Sequence, residues 1–168
     1  MPLRFGVIYH SRWGNCERIA RAIAGGLAES GNEVIVTDTG AIGGLGLRLD
    51  CLLLGSPTRK GRASKQVRRF VKRHVTGALE GTGFVSFGTG LDTELAGSKP
   101  QSADEIHMLL VQRNLKPLAP PFKAAVTGWQ GPLEAGEMER AFQFGRDVGL
   151  LAPLRTGRTR GDGLKRAV

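Results

Sequence analysis

The sequence predicts a single three-layer α/β/α domain in which helices cover both faces of a doubly wound, five-stranded parallel sheet. Short apolar runs alternate along the chain with segments of helical periodicity. The runs are apolar at successive positions, which is typical of strands that are buried on both faces. The chain has 168 residues, 40% hydrophobic and 23% charged, and this size and composition suit one globular domain.

The first half of the chain predicts three strands and one helix. Apolar residues recur at every fourth position at Ile19, Ile23 and Leu27, so we expect a helix over residues 15–29. The runs that we interpret as strands are residues 5–9, 34–36 and 51–54. The glycines that predict an irregular connection after the second strand are Gly40, Gly43, Gly44 and Gly46.

The second half predicts two more strands and three helices. Ser64 is a favourable N-cap for a helix whose apolar stripe runs from Val67 to Val75. Residues 102–105, Ser-Ala-Asp-Glu, match a capping box that opens a further helix. The strands are expected at residues 84–87, ended by Gly88, and at residues 124–126. The apolar residues of the last helix are Met138, Ala141, Phe142 and Val148.

The domain is expected to span residues 1–152. Residues 153–168 are rich in arginine and glycine and have little to bury, so we expect them to form a loose basic tail.

The turn after the first strand is a candidate anion site. It joins a strand directly to a helix, so its backbone N–H groups lack intrahelical partners and face the positive end of the helix dipole. Ser11 and Asn15 can add side-chain donors, and Gly14 lets the backbone approach a ligand closely. Ligands of such sheets bind at the carboxyl ends of the strands. The other turns expected at that edge are residues 56–61, 88–94 and 127–131.

Three of these turns resemble the flavin-binding loops of flavodoxin-like proteins. Residues 11–16 read S-R-W-G-N-C, which is similar to the S-x-aromatic-G-N-T phosphate loop of that family. Residues 55–61 read G-S-P-T-R-K-G and match G-S-P-T-x-x-G, and residues 90–93 read G-L-D-T, similar to an F-D-T element. The resemblance covers residues 4–150 and implies the strand order 2-1-3-4-5 with FMN at the sheet edge.

The resemblance also implies which residues hold the cofactor, with no catalytic side chain and no metal. Those expected around the phosphate of FMN are Ser11, Arg12, Trp13, Gly14, Asn15 and Cys16. Those expected on the two sides of the isoalloxazine ring are Pro57, Thr58, Arg59, Lys60 and Gly61, and Gly88, Thr89, Gly90, Leu91 and Asp92.

Two features depart from the family pattern. Cys16 stands where the phosphate motif has threonine. Because a thiol is a weak donor, we expect a loss of about 1 kcal/mol, or roughly fivefold to tenfold in affinity. The ring loops also carry no Tyr or Trp that could stack on a flavin. Trp13 is expected near the ribityl chain, and Trp129 either at the edge of the site or against the last helix.

The charge balance is strongly basic. Lys and Arg number 24 against 15 Asp and Glu, a net charge of +9, and no acid occurs from Ser56 to Leu79. The cations expected on one face of the basic helix, residues 64–76, are Lys65, Arg68, Arg69, Lys72 and Arg73. Such a face would favour the anionic reduced flavin and attract an acidic redox protein, NAD(P)H or an anionic membrane surface, unless it is simply solvated. Few aromatic residues lie among these charges, which argues against nucleic acid.

The sequence therefore predicts an FMN-binding redox protein that passes electrons between an acidic protein or NAD(P)H and an unidentified acceptor. Two alternatives stay open. One is a flavin-dependent reductase or oxidase with its own turnover, linked to quinone or NAD(P)H and similar to menaquinone-dependent protoporphyrinogen oxidases. The other is a flavin-free module that binds an acidic partner. Only two cysteines, no secretory signal and no long apolar run favour a cytoplasmic protein, and self-association is left open.

Overall fold

The structure is a computed structural model that describes residues 2–42 and 48–156. The strands in these ranges are β1 (Arg4–Tyr9), β2 (Glu33–Asp38), β3 (Cys51–Pro57), β4 (Gly83–Leu91), β5 (Lys116–Pro117) and β6 (Phe122–Val126). The helices are α1 (Asn15–Glu29), α2 (Lys65–His74), α3 (Asp92–Ala96), α4 (Ser102–Gln112) and α5 (Glu137–Thr156). A short 3-10 turn, Gly77–Leu79, precedes β4.

The described strands form one parallel sheet. The order across it is β2-β1-β3-β4, with β5 and β6 both paired to the outer edge of β4. The order 2-1-3-4-5 is therefore confirmed, with the fifth position filled by two short strands in succession. Pro117, Pro120 and Pro121 lie at the break, where proline removes the N–H groups that a continuous ladder needs.

The outer edge of β6 is covered by the segment that follows it. Val126 and Leu133 form an antiparallel bridge. The amide of Glu134 donates to the carbonyl of Ala125 at 2.9 Å. The chain thus folds back along its own edge strand before α5 begins.

Side chains of the sheet alternate between two cores, one on each face. Leu53 joins the core under α1 and α5, whereas Leu52 and Leu54 join the core under α2 and α4. All three side chains are fully buried, as a sheet covered on both faces requires. The helices α1 and α5 approach closely at Gly26 and Gly145, where a Cβ would lie 2.1 Å from a carbonyl oxygen of the opposite helix.

The predicted starts of α1 and α2 agree with the structure, and the predicted start of α4 differs from it by one residue. The helix α1 has the bounds that its apolar spacing predicts. Ser64 caps α2, because its Oγ accepts a hydrogen bond from the amide of Val67 at 3.3 Å. The cap of α4 is shifted by one residue from the expected Ser102 to Gln101, whose amide donates to Asp104 Oδ2 at 3.0 Å.

The expectation that the fourth strand ends at Gly88 is wrong, because β4 continues to pair with β6 as far as Leu91. Glycine here serves close packing. A Cβ on Gly88 would lie 2.2 Å from Ser102 Oγ, and a Cβ on Gly90 would lie 1.9 Å from Gln101 Oε1. These two glycines let the start of α4 pack directly on the strand.

The helix α5 reaches Thr156, four residues past the expected domain boundary at 152. The remainder of the expected tail and the glycine-rich residues 43–47 lie outside the described part of the chain. Across the described helices, no segment combines the length and the apolar character that crossing a membrane requires.

Candidate functional site

The carboxyl ends of β1, β3, β4 and β6 meet around one small cavity at the edge of the sheet. Its volume is about 40 Å³. The residues that line it are Ser11, Arg12, Trp13, Asn15, Cys16, Pro57, Thr58, Thr89, Gly90, Leu91, Val126 and Trp129. The structure therefore brings together most of the residues predicted from the three loops.

The turn between β1 and α1 presents several backbone N–H groups without acceptors. Gly14 is the N-cap of α1 with φ at 92°, a left-handed conformation that glycine adopts without strain. Among the described residues, no acceptor faces the amides of five residues, which are Ser11, Arg12, Trp13, Asn15 and Cys16. Donors without partners at the start of a 15-residue helix can bind an anion.

Ser11 organises this turn. Its Oγ accepts hydrogen bonds from the amides of Gly14 (3.1 Å) and Glu17 (3.3 Å). A hydroxyl has two acceptor positions and one donor, so the Ser11 proton stays available to an anion. Ser11 therefore both shapes the turn and can donate to a ligand.

Asn15 links this turn to the loop after β6. Its Nδ2 donates to the carbonyl of Gln130 at 3.1 Å, which uses one of its two amide protons. Gly131 lies against it, with a Cβ position only 2.7 Å from the Asn15 amide group. The predicted phosphate donor therefore also closes one side of the cavity.

Cys16 contributes its backbone rather than its thiol. The side chain is 1% exposed and belongs to the core under α1 and α5. Burial raises the pKa of the thiol above its usual range, so the sulfur stays protonated. The amide N–H of Cys16 still faces the turn.

The polar side chains of the β3 loop are engaged with α4. Thr58 Oγ1 accepts from the amide of Ser102 at 2.9 Å and donates to Ser102 Oγ at 3.0 Å. The Ser102 hydroxyl donates in turn to the carbonyl of Ser56 at 2.7 Å. These bonds hold the loop in place, and Thr58 and Pro57 line the cavity.

The basic residues of this loop are exposed and do not line the cavity. Arg59 and Arg62 exchange two backbone hydrogen bonds of 3.0 Å. Between them, Lys60 and Gly61 have φ values of 51° and 74°, as in a type I′ turn. We call Arg59 to Arg62 the basic turn.

Six of the sixteen predicted cofactor residues do not line the cavity. One is Gly14, which caps α1, and the other five are Arg59, Lys60, Gly61, Gly88 and Asp92. Gly88 is buried in the sheet, Arg59 and Lys60 of the basic turn are exposed, and Asp92 begins α3. Of the residues predicted on the ring side, those at the ends of β3 and β4 line the cavity, and those beyond these strand ends do not.

The cavity also has two indoles at its rim. Trp13 is 52% exposed and Trp129 is 67% exposed. The guanidinium of Arg12 lies 5.4 Å from the centre of the Trp13 ring. Val126 was missed as a wall residue, although the rule that ligands meet strand ends points to it because it ends β6.

His10 adjoins the turn as a neutral group. Burial lowers its pKa, and nearby Arg12 lowers it further, while the Asp38 carboxylate acts in the opposite direction. At neutral pH the donors that the turn can offer to an anion are therefore amides and a hydroxyl, and not an imidazolium.

The chain is similar to known flavodoxins in sequence pattern and in fold. A family model described as Flavodoxin domain matches residues 6–117. A flavodoxin from the domain Archaea superposes with a TM-score of 0.74 at 16% identity, covering 89% of this chain and 99% of that one. A WrbA-like flavodoxin from Agrobacterium tumefaciens gives a TM-score of 0.70 at 20% identity, with coverages of 90% and 98%.

A longer protein contains the same fold as one part. Rubredoxin oxygen:oxidoreductase from Desulfovibrio gigas superposes with a TM-score of 0.72 at 17% identity, covering 90% of this chain and 36% of that one. The comparison with curated proteins gave no match.

Proposed function

Because the chain belongs to the flavodoxin domain family, we propose that it is a redox protein that binds FMN at the carboxyl edge of its sheet. When bound, FMN supplies one- and two-electron transfer chemistry, and the protein supplies position and electric field. The observation that carries the proposal is the set of five amides without acceptors at the start of α1.

The phosphate side fits the residues that are present. The amides of Arg12, Trp13 and Asn15 and the proton of Ser11 can all donate to phosphate oxygens. Hydrogen bonds to a charged acceptor are worth more than neutral ones, about 1.5–3 kcal/mol each. This turn therefore provides the main part of the binding energy for the phosphate.

On the ring side, the two indoles suit a flavin ring, and enclosing the ring requires the loops around the cavity to open. Trp13 and Trp129 can stack on a planar aromatic ring from the rim. A cavity of about 40 Å³ is too small to enclose a flavin ring, so enclosing the ring requires the loops to separate. The Asn15–Gln130 hydrogen bond of 3.1 Å is a contact that holds them together.

The phosphate proposal is tested by comparing FMN with riboflavin, which has the same ring and lacks the phosphate. We expect FMN to bind far more tightly, with the visible absorbance band of the flavin shifting on binding. Equal affinities would contradict the phosphate role of the turn, and no binding of either would contradict the proposal as a whole.

A matched variant locates the phosphate. Ser11→Ala removes a donor to the phosphate and the acceptor that orders Gly14 and Glu17. We expect FMN affinity to fall by about fivefold to thirtyfold, from about 1–2 kcal/mol, with riboflavin affinity unchanged. Titration calorimetry measures both ligands, and an equal loss for riboflavin would assign Ser11 a purely structural role.

We propose that the partner is an acidic redox protein or NAD(P)H, with an anionic membrane surface as a further candidate. The support is the basic turn, whose Arg59 and Lys60 are exposed beside the site, and the exposed cations of α2. Steady-state oxidation of NADPH or of a quinol by FMN-loaded protein distinguishes an enzyme from a carrier. A passive carrier shows single-turnover reduction only.

The second candidate is a flavin-free module, and the small volume of the cavity favours it. In that case calorimetry detects no FMN, while Lys65→Glu with Arg69→Glu and Arg73→Glu abolishes binding to an acidic partner. A chain that binds FMN and keeps its partner in this triple variant excludes the module.

A further inference from the structure

A second depression, outside the cofactor region, is a groove between α2 and α4. Its volume is about 530 Å³, against about 40 Å³ for the cavity at the sheet edge. The side chains of Val71 and Leu109 contribute apolar surface to the groove, and Met108, which is 62% exposed, also lines it. The groove is large enough for a small organic molecule.

Four cations line the groove, and its two carboxylates are already engaged. The cations are Arg62, Arg68, Lys72 and Arg113. Glu105 lies between two of them, with Oε2 at 3.0 Å from Arg62 Nε and Oε1 at 3.8 Å from Arg68 Nε. Asp104 pairs with Lys123 at 2.9 Å. Positive charge therefore exceeds negative charge along the groove.

A buried donor in the groove lacks an acceptor. The Nε of Arg68 is buried without a hydrogen-bond partner, and Glu105 Oε1 is equally without one, because 3.8 Å is too long for a hydrogen bond. Leaving such groups unsatisfied is unfavourable. Lys72 also forms no ion pair with any described residue.

We propose that this groove binds a small organic anion with an apolar body. The anionic group is held by Arg68 and Lys72, and the body lies on Val71, Met108 and Leu109. The excess of cations over carboxylates and the unpaired Lys72 select an anion, and the apolar surface selects against a small, fully hydrated one such as inorganic phosphate.

The groove and the cavity at the sheet edge are adjacent and separate. Gln101 lines the groove, and its side chain packs against Gly90, which lines the cavity. A test of the groove must therefore show that a probe is not simply bound at the flavin site.

The probe is anilinonaphthalene sulfonate, an aromatic anion whose fluorescence rises in apolar surroundings, and phenylnaphthylamine is its neutral counterpart. Arg68→Gln or Lys72→Gln is expected to weaken the sulfonate about fivefold or more and the neutral probe by less than about twofold. The controls Lys65→Gln and Arg69→Gln remove the same charge from exposed positions of α2 that do not line the groove. Equal loss in the controls would overturn the proposal.

A second pair of variants tests the groove without touching its ion pairs. Met108→Asp places a negative charge in the groove, and Val111→Asp places one at a position of α4 that is 45% exposed and does not line it. We expect only Met108→Asp to abolish binding of the sulfonate. Equal effects of the two variants would overturn the proposal, as would a change in sedimentation on Met108→Asp alone, which would assign the groove to a second copy of the chain.

Saturating FMN separates this proposal from the proposed function. Probe fluorescence that persists with FMN supports the groove, whereas stoichiometric displacement by FMN would place the probe at the flavin site and overturn it. If the protein binds no FMN, the proposed function fails, and the four charge variants and the Met108–Val111 pair still decide the groove.

Discussion

Gly14 determines the conformation of the turn that presents amides to an anion. Its φ of 92° is one that other residues rarely adopt, and this conformation places its own amide on Ser11 Oγ. Nothing lies within 4 Å of the position that a Cβ would take, so the backbone alone restricts this residue. A side chain at this position has room, and it still lowers the stability of the folded state, because the backbone conformation is unfavourable for it.

We therefore expect Gly14→Ala to lower the free energy of unfolding by about 1–2 kcal/mol, because a left-handed conformation is unfavourable for alanine. Gly77→Ala is the matched control, since Gly77 also has open space around its Cβ position but no positive φ. Urea unfolding measures both variants. A Gly14→Ala protein as stable as the control would show that the turn tolerates another conformation.

His10 makes stability depend on pH in a definite direction. Its pKa is lowered in the folded chain, so the unfolded chain binds a proton more readily once the pH falls below the ordinary value of 6.5. The folded state consequently loses stability as the pH falls from neutral through that value towards the lower folded pKa. His10→Gln lacks this titration, so its free energy of unfolding should fall less than that of the native chain over the same interval. Parallel curves from pH-dependent denaturation would contradict the assignment to His10.

At the scale of elements, two glycines of β4 allow the start of α4 to pack closely on the sheet. Gly88 lies beside Ser102 and Ser56, and Gly90 lies beside Gln101. The same serines form the hydrogen bonds that hold the β3 loop at the cavity. The shape of the ring side therefore depends on how closely a helix can approach a strand.

Gly88→Ala is expected to destabilise the protein by about 1–3 kcal/mol through overpacking, because the new Cβ would meet Ser102 Oγ at 2.2 Å and the Ser56 carbonyl at 2.7 Å. Gly97→Ala, whose closest new contact would be 3.4 Å, serves as the comparison. Thermal unfolding ranks the two. Equal midpoints would mean that α4 shifts without cost.

The contact between α4 and β4 also shows which element boundaries could be predicted from the sequence. The bounds of α1 follow from its own apolar spacing, and Ser64 identifies the start of α2, because both signals are local. The end of β4 could not be predicted in this way. In the sequence Gly88 resembles a residue that ends a strand. Glycine is needed there because of the close contact with Ser102, fourteen positions further along the chain.

The candidate site shows the same division. The amide-rich turn was predictable because a strand that leads directly into a helix creates it from adjacent residues. The position of Arg59 and Lys60 outside the cavity lining was not predictable, because the loop turns at the left-handed pair Lys60–Gly61. The groove between α2 and α4 was not predictable either, since it exists only once the strand order places both helices on one face.

At the scale of the whole molecule, binding of FMN should stabilise the folded state. A ligand present at about 100 times its Kd adds about 2.7 kcal/mol, which corresponds to an increase of roughly 5–10 °C in Tm for a chain of this size. We expect this increase with FMN and a smaller one with riboflavin at the same concentration. An unchanged Tm with saturating FMN would contradict cofactor binding to the native fold.

The two-part fifth strand has a consequence for how copies of the chain meet. An open sheet edge normally invites a neighbouring strand to extend the ladder, which is the usual first step towards fibrillar aggregates. Here prolines interrupt the edge between β5 and β6, and the fold-back at Leu133 and Glu134 occupies the hydrogen-bonding groups of β6. Strand-to-strand polymerisation therefore has little template on this side, and a dimer that forms here must join through helices or loops.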